Sequence, residues 1–155
     1  MMNEQGTVVL GIDPLIIRDH YEIDYRHSYA EDSAFFIGLT KGKLLGSRCT
    51  ACGYTYATPR GHCMGCGAPT RWHELPLTGR VHTFTTCHYG GELFLNDTPF
   101  TLILVEFDGA DTLFLSRLKG MQPDAVRIGL PVVAHFAKTP SLKVTDVWFE
   151  SADKT

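Results

Sequence analysis

The chain has 155 residues, 44% of them hydrophobic, and a formal net charge of −3 from 14 Lys and Arg against 17 Asp and Glu. That length supplies one ordinary hydrophobic core or two small ones. The balance of charge argues against a protein that holds polyanions by electrostatics alone.

The first twenty residues, MMNEQGTVVLGIDPLIIRDH, contain no basic stretch leading into an unbroken apolar run, and Pro14 and Arg18 interrupt their hydrophobics. Neither a signal peptide nor a membrane span is expected, and the reading is of a cytoplasmic protein. Further on, HYEIDYRH alternates Tyr21, Ile23 and Tyr25 with polar residues, a strand-like period with no neighbouring partner strand in sequence. Residues 1–26 thus read as an arm that either folds back on its own domain or lies against another subunit.

In SYAE, Ser28 and Glu31 have the spacing of a capping box. The helix they would start, within 27–45, carries Phe35, Phe36 and Leu39 on one side and stops at Gly42. It is expected to lean on the segment that follows.

That segment, CTACGYTYATPRGHCMGCG, holds four of the five cysteines. Two Cys-x2-Cys pairs separated by ten residues can wrap two tight knuckles around one ion, and a reducing compartment disfavours the alternative of disulfides. The expectation is a structural, tetrahedral Zn2+ site with Cys49, Cys52, Cys63 and Cys66 as ligands. Iron remains open, because thiolates alone do not choose between the two metals. Gly53 and Gly67 follow the pairs, where the chain leaving each knuckle takes a positive φ. Four thiolates saturate the ion, so His62 and His73 are not needed. Between the knuckles GYTYATPRG reads as a short β-hairpin closed through Pro59 and Gly61, completing a rubredoxin-like zinc ribbon over 46–76.

After Pro76 come five alternating segments, RVHTFTTCHY, FTLILVEFD, TLFLSRLK, PVVAHFAK and KVTDVWFE, with no long helix among them. Five short strands with a turn-like DAVRIGLP between the third and fourth fit an OB-type barrel over 77–151. The fold class is therefore mainly β: an N-terminal helix, a zinc ribbon and a five-stranded OB-fold barrel. Both modules occur in nucleic-acid binders, but 79–150 carries six bases against eight acids and the first 40 residues two against seven, and the five bases against one acid in 41–78 are half offset by the two negative charges of a metal-loaded thiolate site. These counts argue against nucleic acid as a partner.

The run YRHSYAEDSAFFIGLTKGKLLGSRCTACGYTYATPRGHCMGCG, with GRVHTFTT, PFTLILVEFDGA and IGLPVVAHF after it, resembles the acyl-CoA-associated zinc-ribbon/OB-fold proteins. The resemblance covers about residues 25 to 140. It implies a small accessory subunit of thiolase-like enzymes, or of related aldolases and hydratases acting on CoA thioesters, in which the ribbon docks and the larger subunit holds the nucleophile. The implied assembly is a hetero-oligomer with a thiolase-like catalytic subunit, an acyl-CoA substrate and a coenzyme A thioester at the shared interface.

The residues agree with that division of labour. A Claisen-type active site needs an activated cysteine with a base in one pocket, yet only Cys87 is left, beside His88, and adjacent strand residues point to opposite faces. No catalytic residue is assigned. With CoA phosphates in view, Arg71, Arg80, Arg117 and Lys119 are the candidate CoA-binding cations, since guanidinium forks suit phosphate oxygens. Phe35, Phe36, Leu93, Phe94 and Leu95 are the candidate contacts to a partner or an acyl chain, the last three from the glycine-led loop YGGELFLNDTP.

Overall fold

The computed structural model describes residues 15–91 and 94–153. A helical turn at Ala30–Asp32 leads into α1 (Ser33–Thr40). The start of the helix differs from a capping box: Ser28 Oγ accepts the Ala30 N–H at 3.0 Å, and neither Tyr29 nor Asp32 caps by side chain. Ser28 therefore tightens the turn before the helix. Gly42, at φ +67°, ends α1 as its sequence position suggests.

Eight strands follow among the described residues. They are β1 (Leu45–Cys49), β2 (Thr55–Tyr56), β3 (Thr70–Glu74), β4 (Thr78–Cys87), β5 (Phe100–Glu106), β6 (Phe114–Leu118), β7 (Pro131–Phe136) and β8 (Val147–Ser151). The first three form an antiparallel sheet in the order β2-β1-β3, and the last five close into a barrel in the order β4-β5-β6-β8-β7. The hairpin expected inside GYTYATPRG is instead β1 paired with β2 across the first knuckle, Ser47 opposite Tyr56. Once the chain turns at Cys49–Cys52, the strand already beside it is β1, so β2 pairs there and not with its own continuation.

Barrel strands alternate as the sequence suggests, with Thr101, Ile103 and Val105 of β5 and Phe114, Ser116 and Leu118 of β6 buried. A register shift between Val81 and Thr83 in β4 lets the long strand bend to close the barrel. One hydrophobic core runs from α1 through the barrel, including Phe35, Leu39, Leu44, Leu75, Ile103, Leu130 and Phe149. The ribbon is fastened to the barrel by polar contacts: Asp111 Oδ2 accepts the Thr55 N–H at 2.7 Å, the Asp111 N–H donates to the Thr55 carbonyl at 2.8 Å, and Thr112 Oγ1 accepts the Ala57 N–H at 2.9 Å.

One expectation about the N-terminal region needs correcting. Phe35 and Phe36 are not free to meet a partner, being only 5% and 8% exposed. Phe35 faces Phe114 of the barrel at 6.3 Å, so α1 leans on the ribbon as expected and also reaches the barrel. The arm, over its described part, forms no strand; Leu15, Ile17, Tyr21, Ile23 and Tyr25 are all more than 60% exposed. These side chains do not fold back into the core of their own domain. No helix among the described residues is long and apolar enough to cross a membrane.

Candidate metal centre and outer-face groove

Each knuckle is built locally. Cys49 ends β1, and its sulfur accepts the N–H groups of Ala51 and Cys52 at 3.4 Å each. The second knuckle is closed by the Gly67 N–H donating to the Cys63 carbonyl at 2.9 Å, and Gly53 and Gly67 leave the two turns at φ +77° and +72°. A β-carbon would be strained at either φ.

The four sulfurs lie within 4.8 Å of one another, with Cys49–Cys66 at 3.5 Å, Cys52–Cys63 at 3.7 Å and Cys52–Cys66 at 3.8 Å. Thiolates placed ~2.3 Å from one ion at tetrahedral corners stand about 3.8 Å apart, so the cluster has the dimensions of a four-cysteine metal site. Cys49 and Cys63 are buried beneath it, and Cys52 and Cys66 form its exposed rim.

The thiols titrate unevenly. Cys63 is lowered to about 6, first by the Tyr56 hydroxyl and then by the N–H groups of Cys66 and Gly65. Cys52 is pushed up to about 12: the Tyr54 N–H favours its thiolate, but the neighbouring sulfurs of Cys49 and Cys63 outweigh it. A divalent ion reverses that opposition, since four anionic sulfurs around it are stable only as its ligands.

The candidate cations divide. Arg71 is exposed on β3 of the ribbon, and Arg80 sits at another end of the barrel, paired with Asp108 at 3.1 Å. Arg117 and Lys119 come together on the barrel's outer face, in a groove of about 310 Å3 lined by Phe94, Phe100, Leu102, Leu115, Val144 and Trp148 among others. The Arg117 guanidinium lies 4.4 Å over the Phe100 ring and donates to Asp97 at 2.8 Å, while Lys119 Nζ lies 4.2 Å over Trp148. Trp148 is held in turn by its Nε1–H donating to Glu150 at 2.9 Å and by stacking against His135.

Phe94 lines the groove, Leu95 is 55% exposed and is not among the lining residues, and Leu93 lies outside the described residues. Sequence reasoning missed Trp148, Phe100 and Leu115. Their outward parity on β8, β5 and β6 was legible, but the pairing of β6 with β8 that gathers them was not.

A three-stranded ribbon with a four-cysteine cluster, fastened to a closed five-stranded barrel, defines a zinc-ribbon/OB-fold protein. Family models agree over nearly two thirds of the chain: residues 38–70 match the ChsH2 rubredoxin-like zinc ribbon domain and residues 72–137 the ChsH2 C-terminal OB-fold domain. The chain belongs to this ChsH2-type family of zinc-ribbon/OB-fold proteins.

Among relatives, a DUF35 domain-containing scaffold protein of Methanocaldococcus jannaschii is 28% identical over 97 residues, 61% of this chain and 68% of that protein. A probable enoyl-CoA hydratase alpha subunit of Thermomonospora curvata is 31% identical over 111 residues, which is 70% of this chain but 34% of that protein. In three dimensions the chain is similar to the Ltp2-ChsH2(DUF35) aldolase, with a TM-score of 0.68 and 25% identity over 83% of this chain and 99% of that one. A DUF35-family protein of Sulfolobus solfataricus shares the fold, with a TM-score of 0.57 and 20% identity over 77% of this chain and 83% of that one.

Proposed function

We propose that this chain is a non-catalytic, zinc-binding accessory subunit of a thiolase-type complex acting on a β-ketoacyl-CoA, where it stabilises the assembly and shapes the acyl-CoA entrance. The observation that carries the reading is the outer-face groove. It joins an apolar floor of Leu102 and Leu115 to two cations, Arg117 and Lys119, a composition suited to a thioester with an apolar acyl arm and phosphates. Four of the five thiols are gathered in the metal cluster, and Cys87 pairs across the sheet with Phe100. The catalytic nucleophile then belongs to the companion. Zinc fits the cluster's four-sulfur donor set and spacing, and its contribution is to hold the two knuckles as a rigid docking element.

An aldolase companion is the second reading, favoured by the likeness to the Ltp2-ChsH2(DUF35) aldolase; the likeness to the T. curvata subunit favours a hydratase on the same grounds. Affinity purification from the native host, with the companion identified by mass spectrometry, tests the assignment. A thiolase-fold companion is expected, and turnover of acyl-CoA by the isolated subunit, or salt-sensitive binding of single-stranded oligonucleotides by it, would refute the assignment. In the reconstituted complex the double substitution Arg117→Ala with Lys119→Ala is expected to raise KM for the CoA thioester about tenfold or more, since each removes a charge-assisted contact. An unchanged KM with assembly intact would separate the groove from the substrate path.

A further inference from the structure

We infer that the Tyr56 phenol is a positioning group for the metal: it donates a hydrogen bond to the Cys63 sulfur, anchors that ligand and tunes the electron density it offers the ion. The inference rests on the four-cysteine reading of the cluster and is independent of the companion enzyme.

Tyr56 ends β2, is only 4% exposed, and brings its hydroxyl to the second knuckle. The Met64 N–H donates to that oxygen at 2.8 Å, which fixes one lone pair and turns the phenolic hydrogen away from Met64. The Cys63 Sγ lies 3.4 Å away to receive it. Arg60 covers the ring, its guanidinium carbon 5.9 Å from the centroid, and reaches the Met64 sulfur at 3.5 Å, so the ring is held in place. Backbone N–H groups serve Cys49 in the ordinary manner of a knuckle. Among the described residues, the hydrogen bond from Tyr56 is the one that a side chain outside the cluster gives to a cysteine sulfur.

A thiolate that accepts a buried hydrogen bond has its charge stabilised without a proton and gives less density to the metal. With this hydrogen bond anchoring the buried Cys63, the exposed Cys52 and Cys66 are the ligands left open to solvent. Removing such an outer partner commonly costs about 10–100-fold in metal affinity.

The test uses the full chain carrying Tyr56→Phe, which keeps the ring and removes the hydroxyl. Competition with a chromogenic chelator is expected to show zinc bound about tenfold more weakly. In the Co2+-substituted protein the sulfur-to-metal charge-transfer band is expected to move to lower energy, because the Cys63 lone pair rises when its hydrogen bond is lost. A lower melting temperature with the band unmoved would assign Tyr56 to packing alone and overturn the inference, as would unchanged affinity and band together. If Tyr56→Phe does not fold, replacing the six tyrosines biosynthetically with 3-fluorotyrosine keeps every ring and strengthens the phenolic donor. The band should then move to higher energy, and an unmoved band again overturns the inference.

Discussion

Replacing Phe35 with alanine separates the two roles open to this side chain, partner contact and core packing. Phe35 is 5% exposed, meets Phe36 edge-on at 5.3 Å and faces Phe114 at 6.3 Å, so its ring ties α1 to the barrel. Emptying a site of this size costs the transfer free energy of the ring plus the cavity left behind, about 3–5 kcal/mol for a buried phenylalanine. Leu39 and Leu44 of the same core are themselves almost fully buried and have little freedom to collapse into the space. For a chain of this length each kcal/mol lowers the melting temperature by roughly 2–4 °C. Phe35→Ala should therefore melt about 6–20 °C lower in a calorimetric or circular-dichroism scan, with a lower urea midpoint and an unchanged slope. A variant that melts like the parent but fails to assemble with the companion subunit would refute the packing argument and restore Phe35 to the interface.

Three further outcomes are expected. Cys63→Ser should lose its bound zinc by elemental analysis and become poorly soluble, because the ion's binding energy is part of the ribbon's folding energy; a metal-free variant that stays folded and assembles would remove that role. Asp146 is buried, which alone would raise its pKa, but the Ser141 hydroxyl and the N–H groups of Lys143, Ser141 and Leu142 hold it below its ordinary value of 3.8. Its contribution is thus present above pH 3.8 and lost as pH falls through the depressed value. Asp146→Ala should accordingly cost roughly 2 kcal/mol in urea melts near neutral pH and progressively less in acid, and a gap that widens as pH falls would contradict the sign. Gly79→Ala would place a β-carbon 2.6 Å from the Glu106 carbonyl oxygen and from Val105 Cγ1, forcing β4 away from β5 at about 1–3 kcal/mol; an unchanged melting temperature would show that the strands can yield.

The cysteine spacing pointed to the metal cluster because a knuckle is local: two intervening residues and a glycine at positive φ shape each turn, while the pairing of β1 with β3 sets the two knuckles side by side. Strand-like patterning likewise marked the five barrel segments, most plainly β5 and β6, where burial of one face is written into the strand itself, whereas β4 buries Val81 alone. What the sequence by itself could not determine is which elements become neighbours. Phe35 and Phe36 carry the same apolar signal whether they face a partner or a core, and only the placement of α1 against Phe114 decided for the core. The arm's alternation at Tyr21, Ile23 and Tyr25 resembles a strand, but a strand exists only against a partner, and the described fold offers it none. The groove shows the same rule: Arg117 and Trp148 are far apart in sequence, and the parallel pairing of Leu118 with Phe149, a contact no local pattern records, sets them side by side.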